Sequence, residues 1–212
     1  MKFSPSRLFF ILFFSFIFIL SFSPTHAFAL TAKIIKAKGR LYKDGIEIKP
    51  PQIKSLTLNE GATLEIRDKN SFFIIEYSNG SRLMLAQGKL KIEELKEKKT
   101  FLQLLKGTLH NYTNPHSSHQ FKVKTKNASF AVRGTKFWLK QSQQESYLCV
   151  CTGTVAVRNN HSLMLVQAGE DAHVENPLGT LTKSKANDMM WKMATGGFEQ
   201  MGIPVETDPR KK

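Results

Sequence analysis

Cysteine is nearly missing from this sequence: Cys149 and Cys151 are the only two along the whole chain. Two cysteines make no disulfide framework. In an extended Tyr147–Cys151 segment both would lie on one face with Cα atoms about 7 Å apart, at the limit for a bridge. They read as two small, half-buried strand residues. A metal site would need further ligands from His116, His119 and His161, and the spacing of His116-Ser-Ser-His119 in a Pro/Asn/Ser loop matches no zinc pattern. Neither a metal nor a cofactor is expected. Also lacking are a G-x-S-x-G elbow, an H-E-x-x-H helix and a Gly-rich phosphate loop, and Glu170-Asp171 reads as a solvated turn rather than a catalytic acid pair, so an enzyme is not expected. Acidic residues are scarce, 17 against 31 Lys and Arg, a formal charge of +14.

What is present begins with an address. Lys2 and Arg7 precede an almost wholly apolar run from Leu8 to Phe22, and Ala27-Phe28-Ala29 stands before Leu30. This is the pattern of a secretory signal peptide over residues 1–29 cleaved after Ala29; the alternative is an uncleaved anchor, although a span needs roughly 20 apolar residues. The exported chain, periplasmic or secreted, is still long enough to fold around one core without staples.

From Leu30 onward the pattern is β. Alternating runs such as Thr63-Leu64-Glu65-Ile66, Phe121-Lys122-Val123-Lys124 and Gly153-Thr154-Val155-Ala156-Val157 are bracketed by turn residues, most clearly Asn79-Gly80. No convincing amphipathic helix falls between Thr31 and Val174, and the mixed-charge stretch Ile92 to Leu105 reads as a solvated connection between strands. Glycines recur at one equal interval in three pairs: Gly61 and Gly80, Gly88 and Gly107, Gly134 and Gly153. Periods of about 20 are a mark of stacked β coils. The expected fold is all-β, a β-solenoid or roll of short strands, with a β-sandwich as the alternative.

Four motifs stand in order: Phe121-Lys-Val-Lys-Thr125; Val132-Arg133-Gly134-Thr135-Lys136-Phe137; Gly153-Thr-Val-Ala-Val157; and Ala168-Gly169-Glu170. The set resembles the FecR domain family, with a strand Thr, a V-R-G-T-x-F turn, a G-x-V-x-V strand and a closing A-G-E turn. Asn79-Gly-Ser-Arg-Leu-Met-Leu85 and Leu104-Leu-Lys-Gly-Thr-Leu109 are looser matches, so the resemblance covers about residues 60 to 175. It implies an extracytoplasmic β domain over 30–176 that acts as a non-enzymatic interaction module, with Thr125, Val132, Arg133, Gly134, Thr135, Phe137, Gly153, Gly169 and Glu170 as motif positions. The best-known members control a sigma factor through a cytoplasmic part. Only Met1 to Arg7 precede the apolar run here, and direct control of a sigma factor is not expected.

Arg133 admits two roles, a structural clamp whose five donors tie carbonyls or a carboxylate or a ligand contact; Thr125 and Thr135 are expected to bond backbone at the same corner. Lys33 to Lys43 and Lys122, Lys124 and Lys126 form basic clusters that favour anions. The partner is expected to be an envelope protein, docking at Lys36, Lys38 and Arg40, or alternatively an anionic glycan or lipid. Nucleic acid is disfavoured, because no aromatics interleave the lysines. The tail over 177–212 carries a short helix expected at 184–194, capped near Ser184 and ended by Gly196-Gly197. Its apolar residues Met190, Trp191, Met193, Phe198 and Met201 close one end of the fold or dock a partner, and the chain beyond Gly202 reads as a mobile end.

Overall fold

A computed structural model describes residues 30–204 and 207–211, so the expected signal peptide lies outside the described residues. The strands are β1 (Ala32–Lys38), β2 (Leu41–Lys43), β3 (Ile46–Ile48), then after a short helix α1 (Pro50–Ile53) β4 (Thr63–Ile66), β5 (Phe72–Tyr77), β6 (Arg82–Lys96) and β7 (Lys99–Tyr112). They continue with β8 (Gln120–Lys124), β9 (Ser129–Val132), β10 (Lys136–Gln141), β11 (Ser146–Thr152), β12 (Thr154–Arg158), β13 (Leu163–Gln167), β14 (Glu170–Val174) and β15 (Thr182–Lys185). Helix α2 (Asp188–Gln200) follows.

All of the described strands belong to one connected open sheet, and the long hairpin β6–β7 joins its two halves. Residues 82–86 of β6 pair with β5, and residues 88–91 pair with β4. In β7, residues 107–112 pair with β10, while 99–103 pair in parallel with β8. The hairpin breaks register between Ala86 and Lys89, where Gly88 and Gly107 (φ +98°) meet. A Cβ on Gly88 would overlap the Lys106 carbonyl, and one on Gly107 would meet the Gln87 carbonyl, so only glycine lets the strands cross this closely.

The inner faces of both halves feed one core. Leu64, Leu90, Leu104, Phe121, Val123, Phe130 and Val155 from one half join Phe73, Ile75, Leu83, Leu85, Phe137, Leu139, Leu148 and Val150 from the other. Each such side chain stabilises the fold by roughly 1.5–3 kcal/mol through burial. Because side chains alternate along a strand, Ile74, Met84, Trp138, Tyr147, Cys149 and Cys151 face outward from their half, and Trp191, Ala194 and Phe198 of α2 cover much of that outer face. Sheet faces covered on both sides explain why Ser146 to Cys151 is buried without interruption. Both cysteines are free and buried there.

The strand-rich expectation holds; neither the solenoid nor the sandwich is confirmed, and several finer expectations need correction. A solenoid stacks coils through parallel ladders, yet among the described strands only β7 and β8 pair in parallel, and the sheet is one connected, open surface. The glycine recurrence marks chain reversals and corners instead of coils: Gly80, Gly134 and Gly153 sit in the breaks between consecutive strands. Ile92 to Leu105 is not a solvated connection but paired strand, with Ile92, Leu102 and Leu104 in the core and Glu94 ion-paired to Lys99 across the hairpin at 2.8 Å. The helix begins at Asp188, capped by the Asn187 side chain, which accepts from the Met190 amide at 2.9 Å. Ser184 instead lies in β15 and donates to Asp171 at 2.6 Å. Gly196-Gly197 does not end the helix. It lets the helix approach the sheet, since a Cβ on Gly197 would overlap the His110 ring. The helix covers a sheet face rather than an end. Among the described residues beyond Gly202, Arg210 bonds the Ala186 carbonyl at 2.9 Å, pairs with Asp208 and Asp188, and lies 4.9 Å over the Trp191 ring.

Candidate functional site: a basic cleft beside the second helix

One row of paired residues crosses the outer face: Lys36, Ile74, Met84, His110, Trp138 and Cys149. Helix α2 covers the Trp138 end. Between the helix and β1 a cleft of about 810 Å³ stays open, floored by Phe72, Met84 and Ala86 and walled by Met193, Gly196, Gly197 and Gln200. Lys36, Lys38 and Lys192 stand around it, and among the described residues no carboxylate lines it.

Local sequence explains how the lysines arrive there. The β1–β5 register slips between Ile34 and Lys36, so Ile34 enters the core while Lys36 and Lys38 pair with Ile74 and Phe72 on the outer face. Such a bulge re-aims the side chains that follow it. Lys36 Nζ lies 5.6 Å from the Phe72 ring centroid, and among the described residues none of the three lysines enters an ion pair. Helix α2 supplies Lys192 from its solvent side.

His110 closes the inner end. It is 5% exposed, and one ring nitrogen, Nε2, lies 3.3 Å from the Met193 carbonyl, while Nδ1 has no partner among the described residues. Burial, opposed by the Met193 bond, lowers its pKa from 6.5 to about 4, so the ring is neutral at neutral pH. Its tautomer is set by that bond, with Nε2–H donating to the carbonyl.

Of the expected docking residues, Lys36 and Lys38 reach the cleft and Arg40 does not. Arg40 pairs with Asp68 at 2.9 Å and its backbone amide bonds the same carboxylate. Lys192 and His110 are not legible in the sequence as site residues. Lys192 is far from Lys38 along the chain, and His110 sits in a strand whose alternation marks it only as outward-facing.

The motif residues cluster elsewhere. Thr125 is buried; its hydroxyl lies 2.7 Å from Ser146 Oγ and receives the amides of Asn127 and Ala128. Val132 and Phe137 are in the core. Gly153 (φ +82°) turns against Thr135, and Gly169 (φ +84°) turns against Arg210. Glu170 accepts the Gln167 amide at 2.7 Å and pairs with Lys183 at 2.9 Å. Two expectations about the V-R-G-T corner need correction. Arg133 is exposed and holds no carbonyl or carboxylate among the described residues, because Val132 turns inward and leaves it on the outside of the corner. The Thr135 hydroxyl, beside Gly134, is buried without a hydrogen-bond partner among the described residues, at a cavity of about 360 Å³.

The candidate zinc histidines do not meet. His119 is buried and bonds the Glu97 carbonyl and Thr100 hydroxyl at 2.9 and 2.8 Å. Among the described residues no group of three or more His, Cys, Asp or Glu is placed to hold a metal ion, and no helix is long and apolar enough to cross a membrane.

The family model described as FecR protein matches residues 46–156, just over half of the chain. No curated protein matches. Among solved structures, a candidate anti-sigma factor from Parabacteroides distasonis is 20% identical with a TM-score of 0.54, covering 63% of this chain and 63% of its own. A second structure of the same description and organism is 18% identical with a TM-score of 0.44, covering 76% of this chain and 65% of its own. The chain spans less than two thirds of the length of either. The first likeness is one of fold. With its strands β3 to β11 inside the matched segment, the chain belongs to the FecR protein family.

Proposed function

We propose that this chain is a non-enzymatic, signalling-related module of the cell envelope that binds an acidic segment of a protein partner in the cleft between β1 and α2. One observation carries the reading: three lysines that enter no ion pair among the described residues surround an apolar floor, with no carboxylate among those residues beside them. Apolar area supplies affinity, and the positive field steers an acidic partner and fixes its register. Strand β1 pairs only with β5 among the described strands, so its free edge offers backbone donors and acceptors to an extended segment, in the manner of strand addition. The bulge at Ile35 shortens the usable stretch to the part bearing Lys36 and Lys38.

With export through residues 1–29 the module would lie outside the cytoplasmic membrane, where the partner would be another envelope protein. The experiment is capture from intact cells by chemical crosslinking, comparing the wild-type chain with Lys36→Glu/Lys38→Glu/Lys192→Glu. The variant is expected to lose most of the captured partner while its melting temperature stays within a few degrees. Capture is also expected to weaken as salt rises, because exposed charges are screened over about 8–10 Å. Equal capture by the variant removes the cleft from the reading, and capture of an anionic glycan instead of a protein replaces the partner class.

A further inference from the structure

The half of the sheet away from α2 has no described element over its outer face. Residues on β8, β9, β12 and β13 alternate between buried and solvent-facing, as expected of a sheet wet on one side. Two neighbouring ladders cross this face. One runs Lys124, Ser129, Arg158, Leu163 and the other Lys122, Ala131, Ala156, Leu165. Small residues on β9 and β12 make a shallow floor between Lys122 and Lys124 on β8 and Leu163 and Leu165 on β13, with Arg158 directly beside Leu163. Leu163 is 55% and Leu165 54% exposed. Leu178, 64% exposed, stands in the next loop, which is tied to the β12–β13 turn by the bond from the Asn160 amide to the Pro177 carbonyl at 3.1 Å.

The cations are not held in ion pairs. Lys122 lies 5.1 Å over Phe101, and Lys122, Lys124, Lys126 and Arg158 form no ion pair among the described residues. Lys124, Lys126 and Arg158 also border a small recess of about 230 Å³ whose other walls are Asn, Ser, Thr and Ala side chains with Pro177. The acid across the same ladder, Glu94, is already paired with Lys99.

We infer that this face docks on an anionic phospholipid surface. Exposed leucines beside a patch of cations that form no ion pair among the described residues combine the two terms of interfacial binding, apolar burial among the acyl chains and attraction to lipid phosphates. A shallow, broad face suits a planar headgroup layer better than it suits a protruding peptide, for which it offers no deep pocket. This surface belongs to the half of the sheet that α2 does not touch, so a membrane-docked chain leaves the β1–α2 cleft free for its partner.

The test is co-sedimentation of the full chain with vesicles of phosphatidylglycerol mixed into phosphatidylcholine, against phosphatidylcholine alone. Variants are Lys122→Gln/Lys124→Gln/Arg158→Gln, Leu163→Ser/Leu165→Ser, and Lys36→Gln/Lys38→Gln as a control that keeps the same apolar amino-terminal segment. Each neutralised cation is expected to cost roughly fivefold in vesicle affinity, so the triple variant loses about a hundredfold. The leucine variant also loses binding, and the control loses less than either. Thermal unfolding of every variant separates lost docking from lost fold; if the triple variant unfolds, the single substitutions, each expected to lose about fivefold, decide. Equal binding by wild type and folded variants, or equal binding to phosphatidylcholine alone, overturns the inference. Displacement by millimolar inorganic phosphate with no leucine dependence also overturns it, in favour of a free-anion site.

Discussion

At the scale of single residues, two adjacent glycines of α2 have opposite surroundings. A Cβ on Gly197 would run into the His110 ring, whereas Gly196 has open space around it. Gly197→Ala is expected to destabilise by about 1–3 kcal/mol, the usual cost of overpacking, and Gly196→Ala to stabilise by about 0.5–1 kcal/mol through helix propensity; urea unfolding of both measures the contrast. The glycine pair is legible in the sequence as a stop signal because glycine commonly ends helices. Its real role depends on a histidine of β7, distant along the chain, which no local pattern reveals. Glu65 provides the pH handle. Its carboxylate meets Arg67 at 3.0 Å and Lys106 at 3.1 Å. The Arg67 bond, aided by Lys106 against the effect of burial, lowers its pKa from 4.5 to about 2. A depressed carboxylate stabilises the fold above its unfolded pKa, and that contribution is lost as pH falls from about 4.5 through about 2. Acid unfolding of Glu65→Gln is accordingly expected to show lower stability at neutral pH and a flatter dependence between those values. An unchanged curve would move the acid sensitivity to other groups.

At the scale of elements, the hairpin β6–β7 decides the architecture. Its strands are long enough to serve both halves of the sheet, and Gly88 against Gly107 lets them bend where they cross. Gly107→Ala adds a side chain against the Gln87 carbonyl at φ +98°, and is expected to cost more than about 2 kcal/mol, combining backbone strain with overlap. Chemical denaturation checks the size of the loss. A loss no larger than that of an ordinary surface substitution, about 0.5 kcal/mol, would mean the crossing is looser than the glycines imply. The alternation in Phe72–Tyr77 and Gln120–Lys124 makes those strands legible, as does Asn79-Gly80 for the turn between β5 and β6. Ile92 to Leu105 misleads because it carries Glu93, Glu94, Lys96, Lys98 and Lys99, a charge density that resembles a loop. Those charges belong to the wet side of a strand pair and, at Lys98, to its turn, with Lys91 matched to Glu93 and Lys99 to Glu94. Helix α2 is legible as an element but not in its limits, because Asn187 is a better positioned cap than Ser184, whose hydroxyl is committed to Asp171 in β15.

At the scale of the whole molecule, a basic chain with one folded sheet presents two distinct outer surfaces. One is partly covered by α2 and leaves the Lys36, Lys38 and Lys192 cleft; the other is open and carries Lys122, Lys124 and Arg158 beside exposed leucines. Half of the cleft is readable in the sequence, since Lys36 and Lys38 fall in a conspicuous basic run. Arg40 belongs to the same run but turns away to Asp68, and Lys192 joins only when the chain returns over the sheet. The central claim is that a partner occupies this cleft, and site-specific photocrosslinking in intact cells tests it most directly. A photoreactive residue placed at Gln200, which lines the cleft, should capture a discrete acidic protein, and Lys36→Glu/Lys38→Glu in the same chain should abolish the product. The same photoreactive residue at exposed Arg133, in the corner between β9 and β10, should not capture it. A product from Arg133 but not from Gln200, or one from Gln200 that persists with both lysines reversed, would contradict the account.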